Sequence, residues 1–167
     1  RKLAEKCGDT ISLIEINRFE REYILTTRSR NMDKKLKKIH LEGSSLLKKL
    51  NEEEKIREDY DLISTQRHQN YKLTNENDIK DFKAKFAHLF ELQKRQDLSN
   101  LSQRYLTNAL SEYHYLLEEN ELYLLNKLDI LDWWEDNELW VNQSPHYYIS
   151  ALSNLLAGYG RLGRYDE

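Results

Sequence analysis

Tyr113-His114-Tyr115-Leu116-Leu117-Glu118-Glu119-Asn120-Glu121 and Tyr159-Gly160-Arg161-Leu162-Gly163-Arg164-Tyr165-Asp166-Glu167 decide how the chain is read, because the second stretch echoes the first. Tyr113 falls on Tyr159, Leu116 on Leu162 and Glu121 on Glu167, an offset of 46 residues each time. Upstream, Leu106 falls on Leu152 and Leu110 on Leu156, while Ala109 meets Leu155 as a change of size. Apolar positions repeated at helical spacing over such an offset predict stacked helix pairs rather than a closed globule.

Working outward, the composition supports helices. The 167 residues include only five Gly and one Pro, too few for a loop-rich or all-β chain. Charged residues make up 33% and hydrophobic ones 39%, which suits solvated helices that each carry one apolar stripe. More than roughly 70% helix and no sheet are expected, since no segment alternates with period two. The mean hydropathy is −0.86 and no apolar run approaches a membrane span. Cys7 stands alone, which rules out an internal disulfide and points to a reducing, cytoplasmic setting. Arg1 to Lys6 lacks the apolar core of a signal peptide and reads as the tail of a helix, so the chain is expected to be one domain and a slice of a longer array. Its units are placed at 1–28, 32–93, 97–138 and 144–167.

In chain order, Gly8 stops the first tail in the left-handed conformation. Asp9 or Thr10 then caps a helix to about Arg28, with Leu13, Ile16, Phe19 and Tyr23 as its core stripe. Met32, Leu36, Ile39, Leu46, Leu50, Tyr60 and Tyr71 share one alternation of four and three, which Glu53 and Arg57 interrupt. This segment reads either as one helix bent near Gly43-Ser44-Ser45 or as two, the second starting at Asn51; the single helix is preferred. Thr74 or Asn77 is expected to cap a helix to Gln93 that turns Ile79, Phe82, Phe86, Leu89 and Phe90 inward. Asp97 or Ser99 opens the next, with Leu98, Leu101, Tyr105, Ala109, Tyr113 and Leu116 as its stripe. A helix from Leu122 to Asp136 is expected to bury Leu124 or Leu125, Leu128, Leu131 and one of Trp133 and Trp134. A loop over 137–144 leads to Ser144 as N-cap and Pro145 at the first helical position. There Tyr148, Leu152, Leu155, Tyr159 and Leu162 line the core, and Gly163 closes the helix.

The last helix and its turn resemble the tetratricopeptide repeat (TPR). Asn154-Leu155, Tyr159, Gly163, Tyr165, Asp166 and Glu167 stand where that motif shows Asn-Leu, Tyr, Gly, Tyr, Asp and Glu. Ala4 and Gly8-Asp9 echo the same turn weakly, and in the unit before, Tyr113 and Tyr115 fit while the turn glycine is absent and Glu118 is nearest its place. The spacing of 46 exceeds the family's repeat of about 34, and Met32–Tyr71 is long for a repeat helix, so the likeness is to a divergent, TPR-like protein of a long-helix kind met in bacteria. The resemblance covers about a fifth of the chain. It implies a right-handed α-α superhelix of antiparallel hairpins that binds protein or peptide on its concave face, without catalysis. A regulatory sensor module that binds a small peptide and a homomeric coiled coil built on Met32–Tyr71 are the rival readings.

Chemistry-bearing patterns are sparse. His40, His68, His88, His114 and His146 are scattered, and none has Glu three residues before it. Gly158-x-Gly160-x-x-Gly163 spells a dinucleotide fingerprint, but inside a helix and not after a strand. No enzyme activity, cofactor or metal is expected. The pairs Lys34-Lys35, Lys37-Lys38 and Lys48-Lys49, offset by Glu52-Glu53-Glu54, read as a solvated face rather than a nucleic-acid site. Residues 1–100 hold 22 Lys+Arg against 18 Asp+Glu, whereas residues 101–167 hold four against eleven. The later part also has 11 of the 18 aromatics, all Tyr or Trp. From these, Glu112, Asp129, Asp132, Trp133, Asp136, Trp140 and Tyr147 are the candidate partner-binding residues, an acidic surface with aromatic anchors for a basic peptide.

Overall fold

The computed structural model describes residues 1–27, 30–70 and 72–164. They form α1 (Lys2–Cys7), α2 (Thr10–Thr26), α3 (Met32–Asn70), α4 (Glu76–Phe86), α5 (His88–Gln93), α6 (Asn100–Leu116), α7 (Asn120–Asp136), α8 (Glu138–Gln143) and α9 (Pro145–Arg161). Helix makes up 84% of the structure, and no strand occurs among the described residues. The expected positions Arg28, Tyr71, Tyr165, Asp166 and Glu167 lie outside the described residues.

α3 is a single helix of 39 residues, about 58 Å long at 1.5 Å per residue. Its length serves two neighbours in succession. The first half packs on α2, which runs antiparallel: Thr10 Oγ1 donates to Glu53 at 3.2 Å and Asn17 Nδ2 to the Ile39 carbonyl at 3.1 Å. The second half packs on α6, which runs parallel to it, with Tyr60 beside Tyr105 and Arg67 bonded to Glu112. α4 and α5 supply the return between these two parallel helices, so Phe82 stacks on Tyr113 at 5.0 Å and Phe90 meets it edge-on at 5.2 Å. Ile56, Ile63, Phe82, Phe86, Leu89, Leu106, Ala109, Leu110 and Leu116 complete this core. α7 then folds back on α6, and α9 on α7.

Several expected stripes are displaced, and buried polar residues are the cause. On α2 the buried line is Thr10, Asn17 and Ile24, while Phe19 and Tyr23 are exposed. Thr10 and Asn17 are satisfied by α3, so they occupy the inner face that an apolar-only pattern assigns elsewhere. Glu53, read as an interruption of the α3 stripe, is buried and accepts from Thr10 and from Ser99. Ile56 and Ile63, outside that stripe, are among the most buried residues of the chain. On α7 the buried set is Tyr123, Leu124, Asn126, Lys127, Ile130 and Trp134; Leu125 is exposed, and Leu128 and Leu131 are half-buried. Gly43 lies within α3 and admits a close approach: a Cβ there would meet Asn17 Oδ1 at 2.8 Å.

Helix ends are corrected by what the caps can reach. Asn75, rather than Thr74 or Asn77, opens α4 by accepting from the Asn77 N–H at 2.8 Å. The expected single helix to Gln93 is interrupted at Ala87. The expected loop over 137–144 contains α8, and Ser144 precedes Pro145 without a side-chain capping bond. Asp9 and Ser99 cap α2 and α6, each accepting from the N–H three residues on.

One turn recurs three times. Gly8, Glu118 and Gly163 take φ of 64°, 60° and 67°. After each, the next residue's N–H reaches the carbonyl five positions back: Asp9 to Ala4 at 2.9 Å, Glu119 to His114 at 2.9 Å and Arg164 to Tyr159 at 3.0 Å. This is the paired closure of a Schellman turn. Glu118 and Gly163 are 45 residues apart, as are the starts and the ends of α6 and α9. The geometric register is therefore 45, not 46. A slip of one residue turns a side chain about 100° around a helix, and burial follows the geometric register. Leu106 and Leu110 fall on Ala151 and Leu155, all buried, whereas the offset of 46 pairs buried Leu110 with Leu156, 70% exposed.

Candidate ligand-binding groove

α7 decides where a site can form, because its two faces differ in kind. At about 100° per residue, Lys127, Ile130 and Trp134 lie within one sector and Asp129, Asp132 and Asp136 lie roughly opposite. The first three are buried against α6 and α9; the three acids are exposed. Partial burial, then the charge of Asp132, pushes the Asp129 carboxyl above its ordinary value.

The inward sector of α7 forms the floor of a groove of about 380 Å³. α6 contributes Arg104, Tyr105 and Asn108, while α9 contributes Tyr147, Ser150, Ala151 and Asn154. Tyr60 of α3 and Trp140 of α8 also line it, with Ser144 between α8 and α9. The walls are ordered by ring contacts. Trp134 meets Trp133 edge-on at 5.1 Å and stacks with Tyr147 at 6.4 Å. The Arg104 guanidinium lies over Tyr105 at 4.9 Å, Trp133 at 5.2 Å and Trp134 at 5.4 Å, within cation–π range.

Behind the floor lies a charge cluster centred on buried Glu112 and Lys127. Glu112 is bonded by Arg67 through one oxygen and by Lys127 Nζ through the other at 3.2 Å. Burial lowers the Lys127 pKa despite the attraction of Glu112. Arg67 and Arg161 sandwich the Tyr115 ring at 3.9 and 4.0 Å, and Arg161 donates to the Tyr115 hydroxyl at 2.6 Å. These contacts tie α3, α6, α7 and α9 together.

The expected acidic-aromatic surface is thus divided. Glu112 is buried and committed to Arg67 and Lys127, so it is not part of an outer face. Asp129, Asp132 and Asp136 share an exposed face that points away from the groove. Tyr147 and Trp140 line the groove. Trp140 is held by donating Nε1–H to the Cys7 carbonyl at 3.2 Å, and Trp133 is held likewise by Asn100 O at 3.0 Å. Sequence reasoning missed Arg104, Asn108, Lys127 and Asn154; the signal available was that Arg104 and Lys127 are two of only four bases after residue 100.

No family model matches the chain, and no curated protein or solved structure matches it either. Among the described residues, no helix is long and apolar enough to cross a membrane, and no group of three or more His, Cys, Asp or Glu is placed to hold a metal ion.

Proposed function

We propose that the chain is a non-catalytic, TPR-like helical scaffold that binds a peptide or protein segment in the groove between α6 and α9. The groove's lining carries the reading. Five aromatic rings (Tyr60, Tyr105, Trp134, Trp140 and Tyr147) provide apolar area with polar tips. Asn108 and Asn154 offer amides that can both donate to and accept from a peptide backbone. The three Schellman turns and the neighbour-on-neighbour packing from α6 through α9 support a stacked-hairpin superhelix. A homomeric coiled coil on α3 has less support, since Ile39, Leu46, Ile56 and Ile63 are already buried within the chain. The acids of α7, a candidate surface for a basic partner, stand apart from the groove.

A displayed random-peptide library tests the reading. Wild-type protein should enrich a defined sequence class. Tyr147→Ala and Asn154→Ala should each weaken the selected peptides, while Asp129→Lys with Asp132→Lys should not. No enrichment, or enrichment that ignores both groove variants, rejects the groove.

A further inference from the structure

We infer that the groove selects an acidic peptide segment and that Arg104 reads its charge, an inference that rests on the peptide-binding reading above. Residues 101–167 carry eleven acids and four bases, yet among the described residues the groove lining includes two of those bases, Arg104 and Lys127, and no carboxylate. The two cations are not alike. Lys127 is spent on Glu112 at 3.2 Å, deep in the floor. Arg104 has no carboxylate partner among the described residues; aromatic faces hold it instead. These contacts are to ring faces, and among the described residues no hydrogen bond engages the Arg104 N–H donors, so a carboxylate can be received by two parallel bonds. The Tyr147–Trp134 stack lies beside it as a wall for an apolar neighbour of the acidic residue. A basic segment would enter against the Arg104 guanidinium, with no acid among the described lining residues to receive it. The preferred occupant is therefore an acidic side chain flanked by an apolar one.

Fluorescence anisotropy with labelled, C-terminally amidated peptides tests this, each peptide carrying the same apolar residues around one central Glu, Gln or Lys. Amidation removes the terminal carboxylate as a source of charge. Wild-type protein should bind the Glu peptide roughly ten- to a hundredfold more tightly than the Gln peptide, the range expected for a charge-assisted hydrogen-bonded pair, and the Lys peptide more weakly still. Arg104→Gln should bring the Glu and Gln peptides level, Arg104→Lys should keep the order with a smaller gap, and Arg104→Glu should favour the Lys peptide. If a variant loses its helical dichroism, the ranking of the three peptides on wild-type protein decides alone. A preference for Gln or Lys that still falls with Tyr147→Ala overturns the charge selection and leaves the groove standing. Binding of all three peptides that ignores Tyr147→Ala and Asn154→Ala overturns both.

Discussion

α6 and α9 have the same length of 17 residues, end in the same turn and begin 45 residues apart, yet they live in different surroundings. α6 is enclosed by α3, α5 and α7, and every residue from Ala109 to Leu116 is buried. α9 packs on α7, with α8 beside it, and buries only Ala151, Leu155 and Gly158. At matched positions the contrast is sharp. Ser111 is fully buried with no hydrogen-bond partner for its hydroxyl among the described residues, while Leu156, 45 residues on, is 70% exposed. Neighbours decide burial here, not residue type, because a helix in an array is covered only where another helix reaches it.

The comparison is tested most severely at Glu112. Glu112→Ala leaves buried Lys127 and half-buried Arg67 without their acid, and urea unfolding should show a loss of about 3–5 kcal/mol. At the matched position in α9, Ala157, there is only an exposed residue. A loss below about 1 kcal/mol would mean that water reaches the cluster and α6 is not enclosed there.

Core truncations sharpen the same contrast. Leu110→Ala should cost about 2–5 kcal/mol, and Leu156→Ala should stay within about 0.5 kcal/mol. Equal costs would show that something covers the outer face of α9.

The turns come next in size. Gly8→Val and Gly163→Val each force a β-branched residue to positive φ, at a cost of about 1–2 kcal/mol. Gly8→Val should cost the more of the two, since its Cβ would also meet Asn100 Cβ at 3.2 Å, whereas among the described residues nothing lies within 4 Å at Gly163. Glu118 already bears this strain, so Glu118→Gly should raise the melting temperature, provided that its ion pair with exposed Lys72 contributes little.

The smallest effect depends on pH. Burial raises the Glu53 pKa against the lowering influence of the hydrogen bonds from Ser99 and Thr10. The folded state therefore binds this proton more readily than the unfolded chain. The group's stabilising contribution is complete below its ordinary value near 4.5 and is lost as pH rises through the folded value. Glu53→Gln stays neutral and its amide oxygen can accept the same two hydroxyls. It should be more stable than wild type at neutral pH, and the advantage should shrink as pH falls toward 4.5. An advantage that grows on acidification would reverse the sign and mean that the hydrogen bonds from Ser99 and Thr10 outweigh burial.

Local chemistry made the helices legible. Few glycines, Gly8 and Gly163 as left-handed stops and Pro145 at a helix start are properties of short windows, and the structure keeps each of them. The single long helix over Met32–Asn70 belongs with them, because Gly43 does not interrupt a run of strong helix formers. Tertiary structure alone decided the rest. Which face of α2 and α7 is inner depended on polar residues (Thr10, Asn17, Asn126 and Lys127) whose partners lie on other helices or one turn away, so no hydrophobic pattern could show them as buried. The register of 45 emerged from turn geometry, because identity at 46 marks similar letters and not the same side of a helix. The candidate site moved for the same reason. Acids and tryptophans that are neighbours along α7 point to different sides of it, while Arg104, Lys127 and Asn154, far apart in sequence, meet in one groove only when α6, α7 and α9 have packed.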